Sequence, residues 1–347
     1  MRLLIANLAA YSHYVSREFA WIMRELIDHY EWRHLEPTEL VEGAGTVAEK
    51  IERHLGMMPS LILFWEGENF LCSLAREVER LPCWKWFFVD DLHHRDRWEA
   101  RRKASLLCDT VLATYADRFP EFFPDVVRSR RVIWVPHSAS PDFEFTANHH
   151  AANRLVLSGA ISSVYPMRMR LCAFLADGFD GILRLGHPGY HCEYDYEIDP
   201  NIGPQFSRKI WECRAAFTDC LVHRYAVAKH FEIPATGALL VADASIKEPL
   251  EKLGFLPGVH YFPVTSENLE DRIRYLFCEE HHAELDRIRR NGQALVLERH
   301  RTSHRARLIN DFALKACQEK RGEHLLHGAP NANSLRSFRS RPKETTA

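Results

Sequence analysis

The chain lacks a charge imbalance: 45 Lys and Arg against 47 Asp and Glu leave a formal −2 over 347 residues. Near-neutrality gives no whole-molecule field for holding nucleic acid or an anionic membrane. No apolar run reaches the roughly 20 residues of a membrane span. The opening MRLLIANLAAYSHY turns polar too soon for a secretory signal. Nine scattered cysteines contain no C-x-x-C, so reduced thiols in a cytoplasmic chain are expected. No G-x-G-x-x-G follows an apolar run, which counts against a dinucleotide dehydrogenase. Histidine is plentiful at twenty, but His93-His94, His149-His150 and His281-His282 are adjacent pairs whose side chains diverge, so no metal and no cofactor is expected.

What the chain does have is alternation. RLLIANL (2–8), SLILFWE (60–66), CWKWFFVDD (83–91), DTVLATY (109–115) and RVIWVPH (131–137) are short apolar runs, with helical periodicity at 16–29, 69–80 and 95–107. That order predicts an α/β fold with a parallel sheet covered on both faces. SPDFEFTANHHAAN (140–153) has no periodicity and reads as a linker. The pattern then restarts, with strands at 154–160, 181–186, 214–218 and 238–242 and helices at 166–177 and 204–213, and closes with helices at 267–278, 281–298 and 301–317. The expected division is a first domain over 1–145, a second over 154–300, a closing helix over 301–317 and a disordered tail over 318–347. Four basic residues between 336 and 343 give that tail a weak handle for peripheral contact with the inner face of a membrane. Two successive sheets leave a cleft, and ligands of such sheets sit at strand carboxyl ends.

KHFEIPATGALLVAD (229–243) runs from a helix directly into a buried strand. Lys229 and Glu232 are i and i+3 and share one helix face. A lysine near a helix start suits phosphate oxygens, and a carboxylate one turn on can accept two hydrogen bonds from a vicinal diol, together the outline of a nucleoside diphosphate. The same spacing also makes an ordinary surface ion pair. Pro234 predicts a short or kinked helix, ended by Gly237. In LSGAISSVYPMRMR (157–170), Gly159 permits close backbone approach and Arg168 is placed to reach a diphosphate. His187, in LGHPGY (185–190), turns toward the same cleft. Candidate bases are Asp90 or Asp91 after a strand, His93, and His13 in the first loop, although a carboxylate at a strand end is often only a helix cap. Glu66 and Glu68, which also follow a strand, are candidates to hydrogen-bond hydroxyls of a ligand in that cleft.

FEIPATGALLVAD followed by LEKLGFLPGVHYFPVTSENLEDRIRYL resembles the nucleotide-sugar half of GT-B glycosyltransferases of families 1 and 4, most of all the branch similar to the spore-maturation protein CgeB. WKWFFVDD, RVIWVPHSASPDF and HRTSHRARL (300–308) extend the likeness over most of 60–310. The resemblance implies two Rossmann-like parallel-sheet domains facing each other across a cleft, with C-terminal helices crossing back. It implies Glu232, five residues before Gly237, on the donor ribose. It also implies Val264–Ile273, with Asn268 and Leu269, beside the nucleotide, and Arg305 on the closing helix as a third leaving-group cation with Lys229 and Arg168. Many retaining members carry a second Glu eight residues before the ribose-binding one; here Arg224 stands there and is assigned to phosphate. The expected partners are a nucleoside-diphosphate sugar and a carbohydrate or other acceptor, with no nucleic acid. The competing readings are a sugar-nucleotide epimerase and a non-catalytic scaffold, the latter suggested by Arg224.

Overall fold

The structure is a computed structural model and describes residues 1–189 and 194–327. Among the described residues, eleven short strands form two sheets. The first holds β1 (Arg2–Ile5), β2 (Arg33–Leu35), β3 (Leu61–Trp65), β4 (Trp84–Val89), β5 (Thr110–Ala113) and β6 (Arg131–Trp134), in the order β2-β1-β3-β4-β5-β6. The second holds β7 (Ala152–Leu157), β8 (Ile182–Arg184), β9 (Cys213–Thr218), β10 (Leu239–Asp243) and β11 (Phe262–Val264), in the order β11-β10-β9-β7-β8. Every pairing is parallel.

The apolar runs explain this. Leu61 to Trp65 are all buried, so both faces of β3 are covered, and a strand without a wet face has no reason to alternate. Each sheet carries one apolar core per face. Ile62, Phe64 and Phe87 lie on one side of the first sheet, and Leu61, Leu63 and Trp86 on the other. Strand order reverses between β1 and β3 and again between β7 and β9. The loops leaving those strands therefore diverge and open a crevice at each sheet's carboxyl edge.

Two chain segments join the halves. Ala139 and Arg301 pair in a parallel bridge, with Ala139 N–H donating to His300 O at 2.8 Å and Thr302 N–H to Ala139 O at 3.0 Å. The helix Thr302–His327 then returns to the first sheet. Ala306, Ile309 and Ala313 form its buried stripe, at i, i+3 and i+7, in the core that holds Ile22, Leu26 and Trp32. Asn310 Oδ1 accepts from Arg2 at 2.6 Å and from Trp32 at 3.2 Å, which fixes the register of that docking.

Some expectations need correction. β2 and β11 were not foreseen, nor was the helix Val47–Leu55, although Thr46 and Glu49 form a reciprocal capping box at its start. The helix expected over 69–80 divides at Leu74 into Glu68–Ser73 and Ala75–Glu79. The supposed linker contains the 3-10 turn Pro141–Phe143, and β7 begins inside it at Ala152. The closing helix continues through 318–327, where a disordered tail was expected; the basic cluster at 336–343 lies outside the described residues. Among the described residues, no cysteine forms a disulfide. Among the described residues, no helix is long and apolar enough to cross a membrane.

Candidate functional site

A cavity of about 130 Å³ lies between the two carboxyl edges. Val15 and Ser16 line it from the first domain. The second contributes Gly159 after β7, Gly186 and His187 after β8, and Lys229 and Glu232. Phe206 and Asn201 also line it. Both strand reversals thus feed one crevice.

Lys229 opens the helix Lys229–Ala235 and Glu232 lies one turn on. Pro234 shortens this helix as expected: Thr236 caps it, and Gly237 leaves with φ +82°. The two head groups stand 3.9 Å apart, with side chains 22% and 6% exposed. That separation is an electrostatic contact too long for a hydrogen bond. The Lys229 ammonium also lies 5.1 Å from the Phe206 ring centroid. Burial raises the Glu232 carboxyl, with Lys229 opposing, and lowers the Lys229 ammonium, with Glu232 opposing. A desolvated cation and carboxylate that do not saturate one another leave directed hydrogen-bonding capacity toward the cavity.

Gly159 has φ +94°, and a Cβ there would fall 2.5 Å from Arg168 Nη1. Arg168 is 3% exposed, stacks its guanidinium on Tyr165 at 3.9 Å and donates to Ala160 O at 3.2 Å. It is therefore packed behind the glycine loop instead of lining the cavity. His187 does line it, its Nδ1 accepting from Gly189 N–H at 3.0 Å. Burial lowers its pKa, with Lys229 and Arg168 adding to the effect, so the ring is neutral near pH 7.

Several expected ligand residues are engaged elsewhere. Gly237 packs against Gln293 and Ala147 and serves the helix-to-strand turn. Asn268 accepts from Thr265 N–H at 2.8 Å, and Leu269 is wholly buried in the second domain's core. Arg305 donates to Pro136 O at 2.8 Å, His137 O at 2.9 Å and Arg299 O at 3.2 Å, so it ties the closing helix to the hinge. Arg224 is exposed, has φ +58° and does not line the cavity.

On the first domain's side, His13 is exposed at the end of the short helix Leu8–Ser12, while its near neighbours Val15 and Ser16 face the cavity. Asp91, at φ +30°, lies 3.8 Å from His93 and 3.7 Å from His94. Burial alone would raise its carboxyl, but contact with His94 and the charges of both histidines bring it below its usual value. Burial lowers His93, which stacks on His223 at 5.0 Å. Glu68 is held by Arg97 and Arg101 and is 2% exposed, which removes it from acceptor contact; Glu66 accepts from the Tyr11 hydroxyl.

The sequence reading missed a buried chain behind Asp90. Glu18 Oε2 meets His137 Nδ1 at 2.7 Å, and Glu18 Oε1 accepts from the Ser138 hydroxyl at 2.8 Å. His137 Nε2 lies 2.9 Å from the Tyr115 hydroxyl and 3.8 Å from Asp90 Oδ1. Glu18 and His137 are 119 residues apart, so no local pattern could have linked them.

Asp219, Cys220 and Asp243 are the described residues that could gather round a cation, their ligand atoms lying within 4.8 Å of one another. Each already has a structural task. Asp219 accepts from Met167 N–H at 2.8 Å and Arg168 N–H at 3.2 Å, capping the helix Pro166–Ala176. Asp243 caps a 3-10 turn through Ser245 N–H and accepts from the Cys220 thiol at 3.4 Å. Burial, and then Asp243, push that thiol well above its usual pKa.

Residues 195–311 match a family model described as Glycosyl transferase-like. No curated protein sequence matches the chain. Among solved structures, the chain is similar to Anabaena Alr3699/HepE in complex with UDP-glucose, at 14% identity over 91% of this chain and 100% of that one, with a TM-score of 0.59. It is also similar to sucrose-phosphate synthase (tll1590) from Thermosynechococcus elongatus, at 11% identity over 94% and 99%, with a TM-score of 0.60. A glycosyltransferase from Rickettsia africae ESF-5 follows at 10% identity over 91% and 98%, with a TM-score of 0.55. Identities this low speak for the fold. The chain has the two-domain GT-B fold of these structures, and its residues 195–311 are similar to the Glycosyl transferase-like family.

Proposed function

We propose that the chain transfers a sugar from a nucleoside-diphosphate donor to an acceptor bound against the first domain. One observation carries this reading: Lys229 and Glu232, one turn apart on a single short helix, line the same interdomain cavity in a partly desolvated state. The ammonium supports the diphosphate, where charge develops as the glycosidic bond breaks. The carboxylate accepts from the ribose diol. Gly159 brings backbone close to the same phosphates, and neutral His187 borders the base or the sugar.

Arg168 acts indirectly in this account, by holding the glycine loop. Assignment to the CgeB-like branch rests on FEIPATGALLVAD and the segment that follows it. UDP-glucose in the Anabaena complex makes uridine the first nucleotide to try. Titration calorimetry with UDP-, GDP-, dTDP- and CDP-sugars tests the reading. One nucleotide should bind in preference to the rest, and absence of binding by all four at millimolar concentration removes it.

A further inference from the structure

On the reading just given, we propose that Asp90 is the base that takes the acceptor's proton, and that His137, clamped by Glu18, is the residue that positions it. Asp90 follows β4 directly, at the first sheet's carboxyl edge, with a side chain 16% exposed. Its Oδ1 is buried and, among the described residues, has no hydrogen-bond partner. His137 Nε2 stands 3.8 Å from that oxygen, close enough to orient it and too far to saturate it.

His137 is itself fixed on every side. Glu18 holds Nδ1 at 2.7 Å, Tyr115 meets Nε2 at 2.9 Å, and Phe19 stacks on the ring with centroids 5.8 Å apart. Arg305 grips its main-chain oxygen. A histidine so restrained, on the segment that joins the two domains, is a rigid mount for the carboxylate beside it.

The His137 charge acts on Asp90 and also on Glu232 of the donor helix. Burial, then Asp91 and Glu66, push Asp90 up to about 7, with His137 opposing. Burial works to lower His137, but Glu18 and Asp90 overcome it and hold the ring at about 9. Between those values Asp90 is ionised while His137 keeps its proton. In the reaction, the acceptor oxygen bonds to the anomeric carbon and its proton passes to Asp90. The bond from that carbon to the diphosphate breaks, and its electron pair leaves with the nucleotide.

The test uses the full chain with UDP-glucose, water serving as acceptor, and UDP release as the readout across pH 5–10. A bell-shaped kcat is expected, with limbs near 7 and 9. Asp90→Asn should lower kcat by at least about 100-fold while KM for UDP-glucose stays within about threefold. His137→Gln removes a cation beside Asp90 and should move the acid limb to higher pH. Glu18→Gln should move the alkaline limb to lower pH. Nitrogen NMR of the His137 ring in the free protein provides a second readout, and the ring should remain protonated at pH 8 in the wild type and lose that state in Glu18→Gln. Asp90→Asn with near-wild-type kcat, or an acid limb unmoved in His137→Gln, overturns the proposal. If none of the UDP-, GDP-, dTDP- and CDP-sugars is bound or turned over, the donor reading fails separately, and a His137 that titrates at its ordinary value overturns the positioning role without reference to activity.

Discussion

Arg305 donates to the main-chain oxygens of Pro136 and His137, at 2.8 and 2.9 Å, and so ties the closing helix to the segment leaving β6. A guanidinium 5% exposed, with four of its five N–H groups directed to Pro136 O, His137 O, Arg299 O and His300 Nδ1, holds two domains in register and is committed to the hinge. Arg305→Met should therefore cost stability, about 2–4 kcal/mol from the stranded buried acceptors, and leave donor affinity within about threefold. Denaturant unfolding and calorimetry on the same variant check both halves. A large loss of affinity at unchanged stability would return Arg305 to the donor site.

The contact between Glu18 and His137 predicts a pH-dependent stability. The folded pKa of His137 is raised from 6.5 to about 9, so its contribution is fully present below 6.5 and is lost as pH rises through 9. The amount at stake is on the order of 3 kcal/mol. Melting temperature should fall across that window in the wild type, and Glu18→Gln should flatten this component. Parallel curves for the two proteins would contradict the account.

Two glycines separate ligand binding from folding. Gly159→Ala puts a Cβ into the Arg168 guanidinium at φ +94° and should weaken donor binding as well as cost about 1–3 kcal/mol of stability. Gly237→Ala, at φ +82° against Gln293, should cost a similar amount of stability and leave affinity alone. Calorimetry on both variants distinguishes the two roles.

Glu232→Ala should reduce donor affinity by ~1.5–3 kcal/mol, about 10- to 150-fold, for loss of a charged hydrogen-bonding group. A scaffold that never uses its cavity would show no such change.

The covered strands could be read from sequence because a strand buried on both faces must be a continuous apolar run, as LILFW is. β2 and β11 escaped because edge strands carry less of that signal. RHL is short and half polar, and FPV contains Pro263, which an edge strand tolerates and a central one does not. Lys229 and Glu232 were legible since helix geometry alone puts i and i+3 on one face. Arg168 and Arg305 were misplaced for one reason: a sequence displays a charge but not the carbonyls that surround it. His137 lay in a quoted segment, yet its partner is set by the packing of the helix Glu18–Tyr30 against the hinge, a tertiary fact.

The most direct measurement is a crystal structure of the chain soaked with UDP-glucose. The diphosphate should lie within hydrogen-bonding distance of Lys229 Nζ, with the ribose hydroxyls on the Glu232 carboxylate and the glucose directed toward Asp90. Nucleotide density anywhere outside the cavity between Gly159 and Glu232, or those two side chains unchanged and untouched in a crystal that has taken up ligand, would contradict the central claim.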